Sequence, residues 1–201
     1  AAQHSQSIHA WAAHIPGVKV VVPSTAGECK GLLKTAIRDN DPVMFFEHKM
    51  LYTTKFNDVP EVEEDVCIPF GRARIVAEGA DITVVTNSMM TIKAEKAVRQ
   101  LQKEGISAEL IDLRTIVPLD TETIIRSVKK TGKLLIVDEG HLSFGITGEI
   151  ASRIMPDVFY DLDAPIQRMG TADVPLPFSP ALEFPLIPDE KKIAAKIREM
   201  V

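Results

Sequence analysis

From residue 72 to its C-terminus the chain alternates short, apolar, β-branched runs with amphipathic stretches that carry their own stop signals. Few folds accept that rhythm. "RARIVAEG" (72–79) and "DITVVTN" (81–87) read as strands about an "EGAD" turn. "IKAEKAVRQLQKEG" (92–105) sets Ala94, Ala97, Val98 and Leu101 at helical spacing, with Gly105 placed to end the helix. "AELIDLRT" (108–115) is a strand, and "LDTETIIRSVKKTG" (119–132) a helix capped by Asp120, turning Ile124, Ile125 and Val128 inward and stopping at Gly132. "KLLIVDEG", "TGEIASRIM" and "APIQRMG" continue as strand, helix and strand. "PDEKKIAAKIREMV" closes the chain as a helix with Ile193, Ile197 and Val201 on one stripe. Such alternation specifies a mostly parallel sheet with helices on both faces, a three-layer α/β/α domain over 68–201.

The N-terminal part is smaller. "VKVVVPS" (18–24) and "PVMFFEHK" (42–49) read as strands around a helix over 26–39, in which Thr25 and Glu28 have capping-box spacing. Strand, helix, strand with short turns is a parallel crossover unit. Residues 1–52 thus supply two strands and two helices, too few to close a sheet alone. Between the two parts, "TTKFNDVPEVEEDVC" (53–67) sets five carboxylates against one lysine around a proline and reads as an acidic linker.

The composition excludes several functions. A net charge of −5 without a basic patch disfavours nucleic acid. No apolar run approaches the ~20 residues that span a bilayer, so no membrane role is expected. Cys29 and Cys67 fit neither a disulfide framework nor a zinc site, which points to a reducing, cytoplasmic setting. "FGITG" (144–148) lacks the rest of a dinucleotide fingerprint and is not expected to hold phosphate. The proline-rich run 172–188 is expected to cross the surface as an extended strap pinned by Leu176, Phe178 and Leu182. Trp11 is expected in the core, and His9 and His14 at or near the surface without a role.

In their order, "AAQHSQS", "HIPGVKVVVPS", "KGLLKTAIRDNDPV", "LIDLRTIVPLD", "VDEG" and "LDAPIQRMGTADVPLPFSPALE" resemble the beta subunit of thiamine-diphosphate-dependent 2-oxo acid dehydrogenases, the decarboxylating components of the pyruvate, branched-chain 2-oxo acid and acetoin complexes. The resemblance runs from residue 1 to about 190, with "FFEHKMLY" closer to the acetoin branch. It implies a partial pyrimidine-binding domain followed by a transketolase C-terminal-type domain. It also implies that the chain starts partway through the first of these, downstream of the glutamate that activates the cofactor. Thiamine diphosphate and Mg2+ then belong to the intact heteromer, held by an alpha subunit, and the fragment alone is expected to be inactive.

Position by position, the resemblance puts the active-site histidine of the "HSQ" motif at His4. A group that can donate a proton near neutral pH, or meet developing negative charge, suits a reaction with a carboxylate substrate, a carbanion-like intermediate and a thiol acceptor. A potassium ion is implied at the end of the first long helix, with ligands from Ala36, Ile37, Asp39 and Asp41, mainly through main-chain oxygens. The family often has asparagine where this chain has Asp41. A second beta subunit is an expected partner. So is the peripheral binding domain of the lipoyl acyltransferase, through Asp163 and the terminal carboxylate at Val201. Two alternatives stay open: a stand-alone dimerisation or docking module, and a fragment of another transketolase-type enzyme.

Overall fold

The structure, a computed structural model, describes residues 4–54 and 66–201. Most of the expected acidic linker, residues 55–65, lies outside the described residues. The chain builds two sheets. The larger holds five strands in the order β3–β5–β4–β7–β8: β3 (Arg74–Ala77), β4 (Ile82–Thr86), β5 (Ala108–Asp112), β7 (Leu134–His141) and β8 (Gln167–Thr171). All neighbours are parallel except the edge strand β3, antiparallel to β5. The smaller sheet has the order β2–β1–β6, from β1 (Lys19–Val21), β2 (Val43–Phe45) and β6 (Thr115–Val117).

The helices of the large sheet follow from their caps and stripes. α3 (Ser88–Gln102) joins β4 to β5 and lies on one face with the closing helix α7 (Glu190–Met200). Ala94, Ala97, Val98 and Leu101 of α3 meet Ile193 and Ile197 of α7 there. α4 (Thr121–Thr131) leads from β5 past β4 to β7, and α5 (Ile146–Val158) leads from β7 to β8, both on the opposite face. The Asp120 carboxylate accepts the Thr123 amide to start α4, and Gly132 at φ +69° ends it. β4 and β5 are buried at every position, as strands covered on both faces must be. Burying each Leu, Ile or Val there contributes about 2 kcal/mol, so this body is stabilised by its own apolar core.

The small unit consists of α1 (His9–Ala13), β1, α2 (Ala26–Arg38) and β2, with β1 and β2 parallel as expected. Its third strand was not foreseen. β6, from the body, pairs antiparallel with β1, and the Val22 amide donates to the Arg114 carbonyl. The N-terminal half-sheet is therefore extended by the body as well as packed on it.

Several expectations need correction. Trp11 is 76% exposed, because α1 buries its His9 and Ala12 face instead. His9 is buried, while His14 is exposed as expected. Val201 is exposed beyond the end of the α7 stripe. The proline-rich run includes a short helix, α6 (Pro180–Glu183), begun by a proline at the position where no amide donor is needed. Leu176 packs on the core, but Phe178 and Leu182 face solvent.

Candidate active site

In an open α/β sheet, neighbouring strands whose connections leave in opposite directions open a crevice at their C-terminal ends. β4 leaves toward β5 through α3, and its neighbour β7 leaves toward β8 through α5 on the other face, so the crevice lies between β4 and β7. A cleft of about 870 Å³ is found here. The body contributes Asn87–Met90 and Glu139 to its wall, together with Pro180, Glu183, Phe184 and Ile187. The small unit contributes His4–His9, Val22 and the segment around Phe46–Met50. Neither part encloses it alone.

His4, the expected catalytic residue, is exposed on this wall. The two residues that follow it are both tied to the body. The Ser5 hydroxyl donates to the buried Glu183 carboxylate, and Gln6 Oε1 lies 3.2 Å from His141 Nε2. His141 is held in turn by the Ala172 carbonyl, 2.9 Å from Nδ1.

Two histidines of the small unit grip successive carboxylates at the end of β7. His9 Nε2 stands 3.0 Å from Asp138 Oδ2, and His48 Nε2 stands 2.9 Å from Glu139 Oε1. Adjacent strand residues point to opposite faces, so the two pairs straddle β7. Asn87 completes the inner pair by donating to Asp138 Oδ1 at 2.9 Å. It occupies the N-cap of α3 yet makes no side-chain cap there, because its amide serves Asp138. Ser88 follows at φ +46°, a conformation non-glycine residues rarely adopt. Burial pushes the His9 pKa down, but the Asp138 charge and hydrogen bond, with Glu139 adding, more than offset this and hold it above its ordinary value. Burial likewise pushes Asp138 up, and His9, Asn87 and the Gly140 amide bring it below the usual carboxylate range. Each partner of the pair thus favours the charged form of the other beneath the cleft.

The other expected site residues lie elsewhere. At the end of α2, Asp39 Oδ1 and Oδ2 lie 2.7 and 2.6 Å from Lys19 Nζ, and Asp41 Oδ2 lies 3.1 Å from the same atom. The Lys19 ammonium therefore already answers both carboxylates, and the hydrogen bond to it holds Asp39 below its ordinary pKa. The Ala36 carbonyl accepts the Asp39 amide, and the Ile37 side chain faces solvent. Among the described residues, no three His, Cys, Asp or Glu side chains stand together to hold a metal ion. Asp163 is exposed where the chain enters β8, its amide bonded to the Gly132 carbonyl behind α4. Val201 ends α7 beside α3, where Arg198 pairs with Glu104. The two expected docking positions thus belong to opposite helical layers.

Sequence reasoning missed His9, His48, Asn87, Asp138 and Glu139 as a group. The only local signal was "VDEG", two acids at the C-terminal end of an apolar strand, and it does not say which histidines answer them.

Residues 71–193 match the family described as Transketolase, C-terminal domain, and residues 1–55 match Transketolase, pyrimidine binding domain. Over 200 residues the chain is 48% identical to the pyruvate dehydrogenase E1 component subunit beta of Rickettsia felis, covering 100% of this chain and 60% of that one. It is 44% identical to the 2-oxoisovalerate dehydrogenase subunit beta of Bacillus subtilis, covering 98% and 60%. It is 47% identical to the acetoin:2,6-dichlorophenolindophenol oxidoreductase subunit beta of Cupriavidus necator, covering 99% and 58%. A solved structure described as a split gene transketolase, inactive beta4 tetramer, superposes with a TM-score of 0.76 at 25% identity, over 96% of this chain and 60% of that one. The chain therefore spans about 60% of the length of these relatives. With one model of the family covering most of the described body and another covering the small unit, the chain belongs to the transketolase C-terminal domain family and carries part of a transketolase pyrimidine-binding domain ahead of it.

Proposed function

We propose that this chain is part of the beta subunit of the decarboxylating dehydrogenase component of a 2-oxo acid or acetoin dehydrogenase complex, and that its cleft is the substrate-side wall of an active site completed by an alpha subunit. The observation that carries this reading is His4, an exposed imidazole on a cleft at the topological switch point, followed by Ser5 and Gln6, which are both tied to the body. In the intact heteromer, thiamine diphosphate with Mg2+ would supply the carbanion chemistry. The wall described here does not fit the diphosphate. It carries Glu47, Glu139 and Glu183 against one lysine, Lys49, and that balance repels a polyanion. The diphosphate and its metal are accordingly assigned to the alpha subunit, and no step is derived through them.

What this chain contributes is position and a proton. His4 can donate to an oxyanion forming in the cleft or return a proton to it, while Phe46, Met50, Met89 and Phe184 keep the floor apolar. The same reading makes residues 1–52 the remnant of the pyrimidine-binding domain, 53–67 a linker and 68–201 the assembly domain. It includes pairing with a second beta subunit, docking of the acyltransferase's binding domain at Asp163 and Val201, and a potassium ion held by main-chain oxygens at Ala36, Ile37, Asp39 and Asp41. The proposed location is the cytoplasm, or the mitochondrial matrix in a eukaryote. No helix among the described residues is long and apolar enough to cross a membrane.

The test is to pair the full-length beta subunit with its alpha subunit and assay pyruvate, 2-oxoisovalerate and acetoin. His4→Ala is expected to lower kcat by about 10²–10⁴ with cofactor binding retained, and the 201-residue chain alone to be silent. Turnover at the wild-type rate in His4→Ala, or turnover by the isolated chain, would overturn the reading. A second reading, a self-associating module without activity, is favoured only by the likeness to an inactive beta4 tetramer. A chain that forms its own tetramer and refuses the alpha subunit would select it.

A further inference from the structure

One strand over from the cleft, the two units meet in a buried polar cluster. Asp112 ends β5 beside Thr86 of β4, and neither is accessible. Opposite them, the small unit presents Ser24 and Glu28 at the start of α2, both buried. Glu28 has the spacing of a capping box, and Thr25 Oγ1 does accept the Glu28 amide at 3.2 Å. The Glu28 carboxylate is turned to other partners. Its Oε1 lies 2.7 Å from Arg74 Nε of β3 and accepts Arg114 Nε at 2.8 Å from beyond β5. Its Oε2 lies 2.7 Å from Ser24 Oγ.

Ser24 Oγ is also in hydrogen-bond contact with Asp112 Oδ2. Three oxygens therefore stand in a row, from Glu28 through Ser24 to Asp112, with two contacts between them. A serine hydroxyl has one proton and donates once. The Arg74 Nη2 atom, 3.4 Å from both Ser24 Oγ and Asp112 Oδ2, is too far to take the place of a proton between oxygens in close contact. The second proton must come from a carboxyl group. Glu28 is the poorer holder, since two guanidinium groups crowd it. Asp112 has lost all water and faces the Glu28 charge.

We propose that one proton is held on Asp112 and passed in hydrogen bonds through Ser24 to Glu28, so that Asp112 is a neutral acid and the junction of the two units is a proton-operated latch. Asp112 donates to Ser24, and Ser24 donates to Glu28. Glu28 remains the anion that Arg74 and Arg114 require. The charged groups facing Asp112 are Glu28 from α2, Arg74 from β3 and Arg114 from the β5–β6 turn; the Arg114 amide meets Asp112 Oδ1 at 3.2 Å.

Physical chemistry supports the same assignment. Burial, then the Glu28 charge, pushes the Asp112 carboxyl up to about 7. Burial pushes Glu28 up as well, but Arg74 and Arg114 more than offset this and hold it below its ordinary value. A carboxyl raised on folding makes the folded state bind more protons than the unfolded one. Its contribution is complete below the unfolded value of about 4 and is lost as pH rises through the folded value near neutrality. The latch weakens on the alkaline side.

The test is direct titration of the Asp112 side-chain carboxyl carbon by NMR in the 201-residue chain, with melting curves for Asp112→Asn and Asp112→Ala from about pH 5 to pH 8. The expected midpoint is near neutrality. Asparagine offers an N–H to Ser24 where the acid offered O–H, so D112N should fold and lose less of its melting temperature with rising pH than wild type. His9 titrates alike in both and cancels from that difference. D112A, which cannot donate, should melt lower than D112N across the range. A carboxyl midpoint at or below about 4 would overturn the proposal. So would a D112N protein that melts as low as D112A and keeps the wild-type pH slope.

Discussion

In the five-stranded sheet, β4 and β5 are buried at every residue; in the three-stranded sheet, β2 is fully buried at none and β1 at two of three. The small unit shares Ala12, Val20 and Val22 with an apolar cluster of the body, and adds to them a set of buried and half-buried polar contacts. His9 meets Asp138, His48 meets Glu139, Glu28 meets Arg74 and Arg114, and Ser24 meets Asp112. The difference teaches where function can sit. A unit attached through directional, ionisable contacts can present a loop such as that of His4 at a defined place, and the attachment answers to pH in a way an apolar core does not.

The largest expected effect strikes the polar attachment. Asp138→Ala leaves a buried imidazole and the Asn87 amide without their partner, and it should cost about 3–5 kcal/mol in chemical denaturation. The gentler Asp138→Asn should let burial dominate, so that the His9 midpoint, followed by histidine NMR, falls below about 6.5. The sign for stability follows. The raised His9 contributes fully below about 6.5 and loses its contribution as pH rises through its folded value; the lowered Asp138 contributes above about 4 and loses its contribution as pH falls through its own. The pair therefore stabilises most between these limits. Next in size, Leu110→Ala in β5 empties a fully buried site and should cost about 3 kcal/mol, with no change in the His9 midpoint. Removing the α2 cap by Thr25→Ala should cost about 1 kcal/mol. Least of all, Arg99→Ala on the exposed face of α3 breaks an i,i+4 pair with Glu95 worth about 0.3 kcal/mol. A result in which Leu110→Ala shifts the His9 midpoint would erase the distinction between the two regions.

The body was readable because its signals are local. Asp120 and Gly132 mark the ends of α4 by chemistry that involves only their near neighbours, and both work as expected. The junction was not readable, because each contact joins residues far apart in sequence. Glu28 looks like a capping residue until Arg74 of β3 and Arg114 of the β5–β6 turn arrive beside it. His9 looks like a surface histidine five residues from His4, and only Asp138, 129 positions away, gives it a buried partner. Trp11 misled for the same reason: a lone tryptophan normally packs, yet here the helix turns its histidine inward and its indole outward. The strand β6 is three residues long, and nothing in "TIV" says it will leave its own sheet for another.

Native-state hydrogen exchange would test the two-part attachment most directly, by comparing the amides of Val20–Val22 in and after β1 with those of β4 and β5. The small unit should open at a lower free energy than the large sheet, and Asp138→Asn should lower the first value while leaving the second in place. Equal protection in both regions, or an equal fall in both on that substitution, would contradict the account.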